Sequence, residues 1–317
     1  MTDSFDREKV TNAPTNAGAT ADAGTREIAR AKVNLFLHVR GRMPDGYHVL
    51  ESFAVFPRIG DLIEVEPAEA ISLTLSGPFS HALGGDDNLA LSAARALSDR
   101  MPERPGAAIR LTKTLPVAAG IGGGSADAGA TLRALARIWP TAPGEALPDI
   151  AFALGADAPV CLRSRPSFMG GVGEMLNRAP AFPAFWMVLV NPGQMLSTAE
   201  VFAGLTRREN PAGASVPRSF VDFDHMISWL QMQRNDLEKP ARKLRPSIGK
   251  VLSALSWDRD CALSRMSGSG ATCFGLFAEA DAALAAAERI RRSDPQWWVA
   301  AAPVEAWSGD AALESVA

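Results

Sequence analysis

The chain has 317 residues, of which 47% are apolar and 21% charged, and its formal charge is −3. That balance supports a sizeable core in one large or two ordinary domains and carries no basic footprint for nucleic acid. No apolar run approaches the roughly 18 residues of a membrane span, no apolar signal core opens the chain, and Cys161, Cys261 and Cys273 are scattered as free thiols of a cytoplasmic protein would be.

Residues 1–25 are rich in Ala, Thr, Asn, Asp and Gly and poor in large apolar side chains, which predicts a disordered tail. From Glu27 to Val39, the residues Ile28, Val33, Leu35, Leu37 and Val39 nearly alternate, as in a half-buried strand. Lys32 and Asn34 then share a face, where a lysine is ordinarily a solvated edge charge. Pro44, Asp45 and Gly46 mark a turn before Tyr47, the one tyrosine of the chain. Tyr47 could cover the core edge, or its ring could stack on a base whose polar edge His48 reads. Two strand-like stretches between Ser52 and Val65 divide around Pro57 and Ile59-Gly60-Asp61. A helix is predicted from Leu89 to Arg100, with Asp87 or Asn88 as its N-cap.

The densest signal follows. Ala107 to Lys113 alternates as a strand does, and Leu132, Leu135, Ala136 and Trp139 fall at helical spacing. Between them runs Leu115-Pro-Val-Ala-Ala-Gly-Ile-Gly-Gly-Gly-Ser125, so the glycines sit where a strand turns into a helix. Amides converging at a helix N-terminus favour an anion, above all a phosphate. Neither common nucleotide fingerprint fits. A Walker loop needs Gly-Lys-Ser/Thr where Gly124 precedes Ser125-Ala126, and a dinucleotide loop needs glycine at Ser125.

Pro148–Leu154 reads as a helix closed by Gly155, with Asp157 a cap or turn former ahead of Pro159. Ser167–Glu174 is a glycine-rich hairpin. Phe185–Val190 is an apolar strand, and Ser197-Thr-Ala-Glu200 has capping-box spacing that opens a helix through Leu205, with Thr198 among the cap residues. Helical patterns cover Phe220–Met232 and Asp236–Trp257, the second interrupted at Pro240 and Pro246. A second small-residue loop, Ser267–Thr272, leads into a strand at Cys273–Phe277. A helix at Asp281–Arg292 and a strand at Trp297–Val304 follow, and residues 308–317 read as a frayed end.

The glycine stretch, with Pro116 at its head, resembles the loop of the GHMP kinases. Ala31-Lys-Val-Asn-Leu35, Gly46-Tyr-His48 and Leu154-Gly-Ala-Asp-Ala-Pro-Val160 are similar to motifs of the 4-diphosphocytidyl-2-C-methyl-D-erythritol kinases within that family. Ser267–Thr272 resembles the third GHMP motif, which packs on the phosphate loop. The departures are Ala118, where that branch usually has glycine, Ala126, where it has serine, and Ala158, where it has valine.

The resemblance implies an α+β, two-domain GHMP kinase architecture. A nucleotide domain like domain 2 of ribosomal protein S5 is expected over residues 26–180 and a ferredoxin-like domain over 181–307. It further implies ATP with Mg²⁺, bound by Pro116, Ala118, Ala119, Gly120, Ile121, Gly122, Gly123, Gly124 and Ser125, with no metal site made by the protein. Asp157 is expected as catalytic base, with Lys32 offsetting charge and orienting it. Asn34, Tyr47, His48, Val172, Thr198 and Phe202 are expected to hold a cytidine-containing alcohol. The alternative is a GHMP kinase for another small alcohol, such as homoserine or mevalonate, which has no need of Gly46-Tyr47-His48. Either way the partner is a small molecule, with no nucleic acid or membrane, and the enzyme a monomer or weak homodimer.

Overall fold

The single strand expected over Glu27–Val39 is two. In the computed structural model, which describes residues 25–309 except 45, 84–87, 140 and 208, β1 (Thr25–Arg30) and β2 (Val33–Arg42) enter different sheets. The break has a cause in hydrogen bonding. The Ala31 amide donates to the Ile59 carbonyl and the Lys32 amide to the Ile121 carbonyl, so the chain crosses between sheets at the glycine loop. The expected tail and frayed end, like the candidate cap Asp87, lie outside the described residues, apart from Thr25, which opens β1, and Ser308 and Gly309.

Four further strands and a helix follow: β3 (His48–Val55), β4 (Gly60–Ala68), β5 (Ser72–Ser76), α1 (Leu89–Ser98) and β6 (Gly106–Thr112). One sheet has the order β1-β4-β6-β5, in which only β5 and β6 run parallel, and α1 lies on the connection between those two. Asn88 caps α1, its side chain accepting from the Ala90 amide at 2.9 Å. After the glycine loop, α2 (Gly123–Ile138) packs its alanine-rich face onto this sheet, against Ile63, Val65, Ile109 and Leu111. Two short helices follow, α3 (Leu147–Leu154) and α4 (Ala158–Arg163). The second was not anticipated, because Pro159 reads as a turn in sequence yet fits a first helical turn, where its missing N–H costs nothing. Gly129 lets α2 and α4 meet backbone to backbone, since a Cβ there would lie 2.8 Å from Cys161 main-chain atoms. Arg133 reinforces this contact by donating to the Cys161 and Leu162 carbonyls.

The second sheet joins β2 and β3 to β7 (Ser167–Gly170) and β8 (Met175–Arg178) in the order β2-β3-β7-β8. Phe36, Phe53 and Phe168 pack beneath it, with the Phe53 and Phe168 rings stacked at 4.6 Å. The same core continues into Phe185, Met187, Leu189 and Phe274 of the C-terminal half.

That half contains β9 (Phe185–Asn191), α5 (Thr198–Ala203), α6 (Phe223–Gln231), α7 (Glu238–Leu244), α8 (Ser247–Ser256), β10 (Leu263–Met266), β11 (Cys273–Phe277), α9 (Ala280–Ser293) and β12 (Trp298–Val304). The sheet is antiparallel in the order β10-β11-β9-β12, the split β-α-β arrangement of a ferredoxin-like layer. Helix α5 stops two residues before the predicted Leu205. Helix α6 starts later than its apolar pattern because Asp222 caps it, accepting from the His225 amide at 2.8 Å. Pro240 does not interrupt the next helix. It falls in the first turn of α7, and the break comes instead at Arg245-Pro246, where proline disfavours helical backbone in the residue before it. Arg265, which sequence reasoning passed over, ties the halves together through the Leu35, Leu230 and Gln233 carbonyls. It is buried, and that desolvation, only partly offset by the charge of Glu238, pulls its guanidinium down to about 10.

Candidate active site

Gly155 ends α3, and Asp157 then occupies the N-cap position of α4 without making a cap hydrogen bond. Its carboxylate turns instead to Lys32, whose Nζ donates to Oδ2 at 2.7 Å. The lysine side chain is 4% exposed and that of the aspartate 38%, so the ammonium lies underneath and the carboxylate opens outward. Neither the solvated edge lysine nor the capping aspartate describes what these residues do.

Lys32 is fixed by the glycine loop itself. Its amide donates to the Ile121 carbonyl, and a Cβ on Gly122 would stand 3.2 Å from the Lys32 Cβ, so a side chain here would press on the lysine. Ala118, Gly120 and Gly122 all have positive φ, at 52°, 72° and 63°, an alternation suited to aiming amides at one anion. The first bond within α2 runs from the Ala126 amide to the Gly122 carbonyl. The amides of Gly123, Gly124 and Ser125 thus precede the helical ladder and face its N-terminal side. Ala126, by contrast, is buried in the core, so the missing serine at that position is lost from packing and not from the loop surface.

Ala118 is the strained departure, because an L-residue in the left-handed region costs about 1–2 kcal/mol, partly offset by the lower entropy of an unfolded alanine. Ala118→Gly is therefore expected to raise the unfolding free energy by about 0.5–1 kcal/mol in a denaturant titration. Unchanged or lower stability would show that the loop bears no strain there.

The Ser267–Thr272 loop braces this arrangement from the C-terminal half. Ser267 Oγ donates to the Gly120 carbonyl at 3.0 Å and accepts from the Asn34 amide at 3.1 Å, and the Thr272 amide donates to the Ala119 carbonyl. Asn34 is 2% exposed. Its Nδ2 donates to Ser52 Oγ, and its buried Oδ1 has no protein partner. Asn235 donates to the Met266 and Gly268 carbonyls at 2.8 Å each, holding the bracing loop in turn.

Two of the residues expected to hold the alcohol meet directly. His48 and Phe202 stack at 4.7 Å and 19°, while Tyr47, the neighbour of His48 in sequence, is 63% exposed. Thr198 Oγ1 lies 2.8 Å from Ser269 Oγ, and the cap of α5 is Ser197. The Val172 amide donates to Glu174, and the turn that holds it lies against Ala156, next to Asp157.

The family model described as GHMP kinases N terminal domain matches residues 88–165, and GHMP kinases C terminal matches residues 214–296. The chain is also 51% identical to a 4-diphosphocytidyl-2-C-methyl-D-erythritol kinase of Cereibacter sphaeroides, over 88% of this chain and 98% of that one. The chain belongs to the GHMP kinase family. This GHMP kinase is likewise 51% identical to the enzyme of the same name from Paracoccus denitrificans, over 87% and 95% of the two chains. It superposes on a crystal structure of 4-(cytidine 5'-diphospho)-2C-methyl-D-erythritol kinase with a TM-score of 0.71 and 31% identity, covering 87% of this chain and 98% of that one. A homoserine kinase from Cytophaga hutchinsonii, 16% identical with a TM-score of 0.66 over 93% and 99% of the chains, shares the fold. The GHMP kinase is thus a phosphotransferase. None of its described helices is long and apolar enough to cross a membrane.

Proposed function

We propose that this kinase transfers the terminal phosphoryl group of ATP to the 2-hydroxyl of 4-diphosphocytidyl-2-C-methyl-D-erythritol. One observation carries the reading: Lys32 is bonded through its backbone to the glycine loop and through its side chain to Asp157, so donor site and base are one unit. The loop amides and the α2 N-terminus hold the triphosphate. The substrate hydroxyl oxygen attacks the γ-phosphorus, its proton passes to Asp157, and the bond from that phosphorus to the bridging oxygen breaks, leaving ADP. Such a transfer asks chiefly for positioning and charge compensation, which Lys32 and the loop supply.

Among the described residues no group of three His, Cys, Asp or Glu side chains could hold a metal. Mg²⁺ would arrive with ATP, where the ion neutralises triphosphate charge. Tyr47 and His48 would hold the cytosine with Val172 as the other wall of the base slot, and Asn34, Thr198 and Phe202 would line the rest of the pocket. We place the domain boundary at 180/181, between β8 and β9, and read the enzyme as a cytoplasmic monomer or weak homodimer.

The Tyr47→Ala variant tests the substrate assignment. Losing one base-stacking face is expected to cost about 1–3 kcal/mol, roughly ten- to hundredfold in KM for the cytidine substrate. KM for ATP should stay unchanged. Equal weakening for both substrates would remove Tyr47 from the alcohol pocket.

A further inference from the structure

Beneath the glycine loop lies a buried charge cluster that the chemistry above does not use. Lys113, the residue after β6, is 1% exposed, and its Nζ donates to Asp61 Oδ2 at 2.5 Å and to Asp127 Oδ2 at 2.6 Å. Asp61 on β4 also accepts, through Oδ1, the amides of Thr114 at 2.5 Å and Leu115 at 2.8 Å. It therefore anchors the chain where the glycine loop begins. Asp127 stands just over one turn into α2, 2% exposed, and its Oδ1 is buried without a partner. A Cβ on Gly123 would come within 3.2 Å of Lys113 Nζ, so the ammonium lies directly under the first residue of α2.

The charge count is unbalanced. One ammonium faces two carboxylates in a dry interior, which leaves a net negative charge below a site built for phosphate. Asp61 accepts along both oxygens and is the natural seat of the charge. On Asp127 an oxygen without a partner costs far less in a neutral carboxyl than in a carboxylate. Burial, opposed by Lys113 and aided by Asp61, pushes Asp127 up to about 8. Among the described residues the Cys161 thiol of α4 also faces it, and burial keeps that thiol protonated, while Glu27 of β1 is taken up by Arg133 and Arg137 further along α2.

We propose that Lys113, Asp61 and Asp127 are positioning residues for the phosphates, and that Asp127 carries a proton while nucleotide is bound. This rests on the glycine loop being the ATP site. The protonated cluster is neutral and holds β4, β6 and the α2 N-terminus in register. Loss of the proton places uncompensated negative charge under the triphosphate. Because bound ATP raises the proton affinity of Asp127, ATP affinity falls as pH climbs past the point where the free enzyme releases that proton.

Calorimetric titration of MgATP into the full chain tests this. Kd is expected to rise about tenfold between pH 7 and pH 9, where the nucleotide itself no longer titrates. Asp127→Asn, which fixes the neutral state, should bind within about threefold of the parent at pH 7 and lose the pH dependence. Should that variant misfold, titration of the parent at pH 8 in two buffers of different ionisation enthalpy counts the proton directly, with uptake of about half a proton expected. A flat parental profile, an unchanged slope in the Asn variant, or zero proton uptake would each overturn the proposal. Failure of ATP to bind at any pH would instead overturn the loop assignment, and this inference with it.

Discussion

Replacing Asp157 by asparagine is expected to lower kcat about 10²–10⁴-fold, the usual span for losing a general base. The amide keeps the shape of the carboxylate and can still accept a hydrogen bond from the hydroxyl, so both KM values should stay near those of the parent. The loss belongs to the step in which the hydroxyl gives up its proton. Lys32, 2.7 Å from Oδ2 and almost fully buried, holds the carboxylate in place and would be left beside a neutral group. If the transfer is largely dissociative, positioning outweighs basicity and the effect falls at the low end. Steady-state kinetics with purified variant and parent read this directly. Turnover within threefold of the parent would return Asp157 to the role of a turn residue.

Gly122→Val is expected to reduce turnover by about 10² or more, the effect of displacing a catalytic group by about 1 Å. The valine Cβ would press on Lys32 at 3.2 Å, and a β-branched residue at φ 63° adds about 1–3 kcal/mol of backbone strain. The substitution therefore strikes Lys32 and the loop amides together. We expect both a lower kcat and weaker ATP binding by calorimetry, with melting retained as one cooperative transition. Parental kcat and ATP affinity in this variant would separate the loop from the catalytic pair.

The glycine loop was legible in sequence because its conformation is written in residue types: glycine, proline and small side chains have few other uses at that density. The strands were legible where alternation ran unbroken. They failed at Ala31-Lys32, where two long-range backbone hydrogen bonds, invisible in the local pattern, cut one strand into two. Pro240 misled because proline is tolerated in a first turn, and a first turn is defined by a cap that sequence left ambiguous. For Lys32 and Asp157, spacing alone favoured an edge charge and a cap. Only the family motif pointed to chemistry, and the 2.7 Å contact across 125 residues shows why local reasoning could not. Lys113, Asp61 and Asp127 escaped for the same reason. Each resembles an ordinary surface charge in sequence, and only the meeting of β4, β6 and α2 makes them a buried cluster.

The central claim is the identity of the phosphoryl acceptor, and ADP release from a panel of alcohols tests it most directly. With ATP and Mg²⁺, 4-diphosphocytidyl-2-C-methyl-D-erythritol should exceed homoserine and mevalonate in kcat/KM by on the order of 10³ or more, because a pocket built for a base leaves its polar groups unpaired with the smaller alcohols. Comparable or faster ADP release with homoserine or mevalonate would contradict the account.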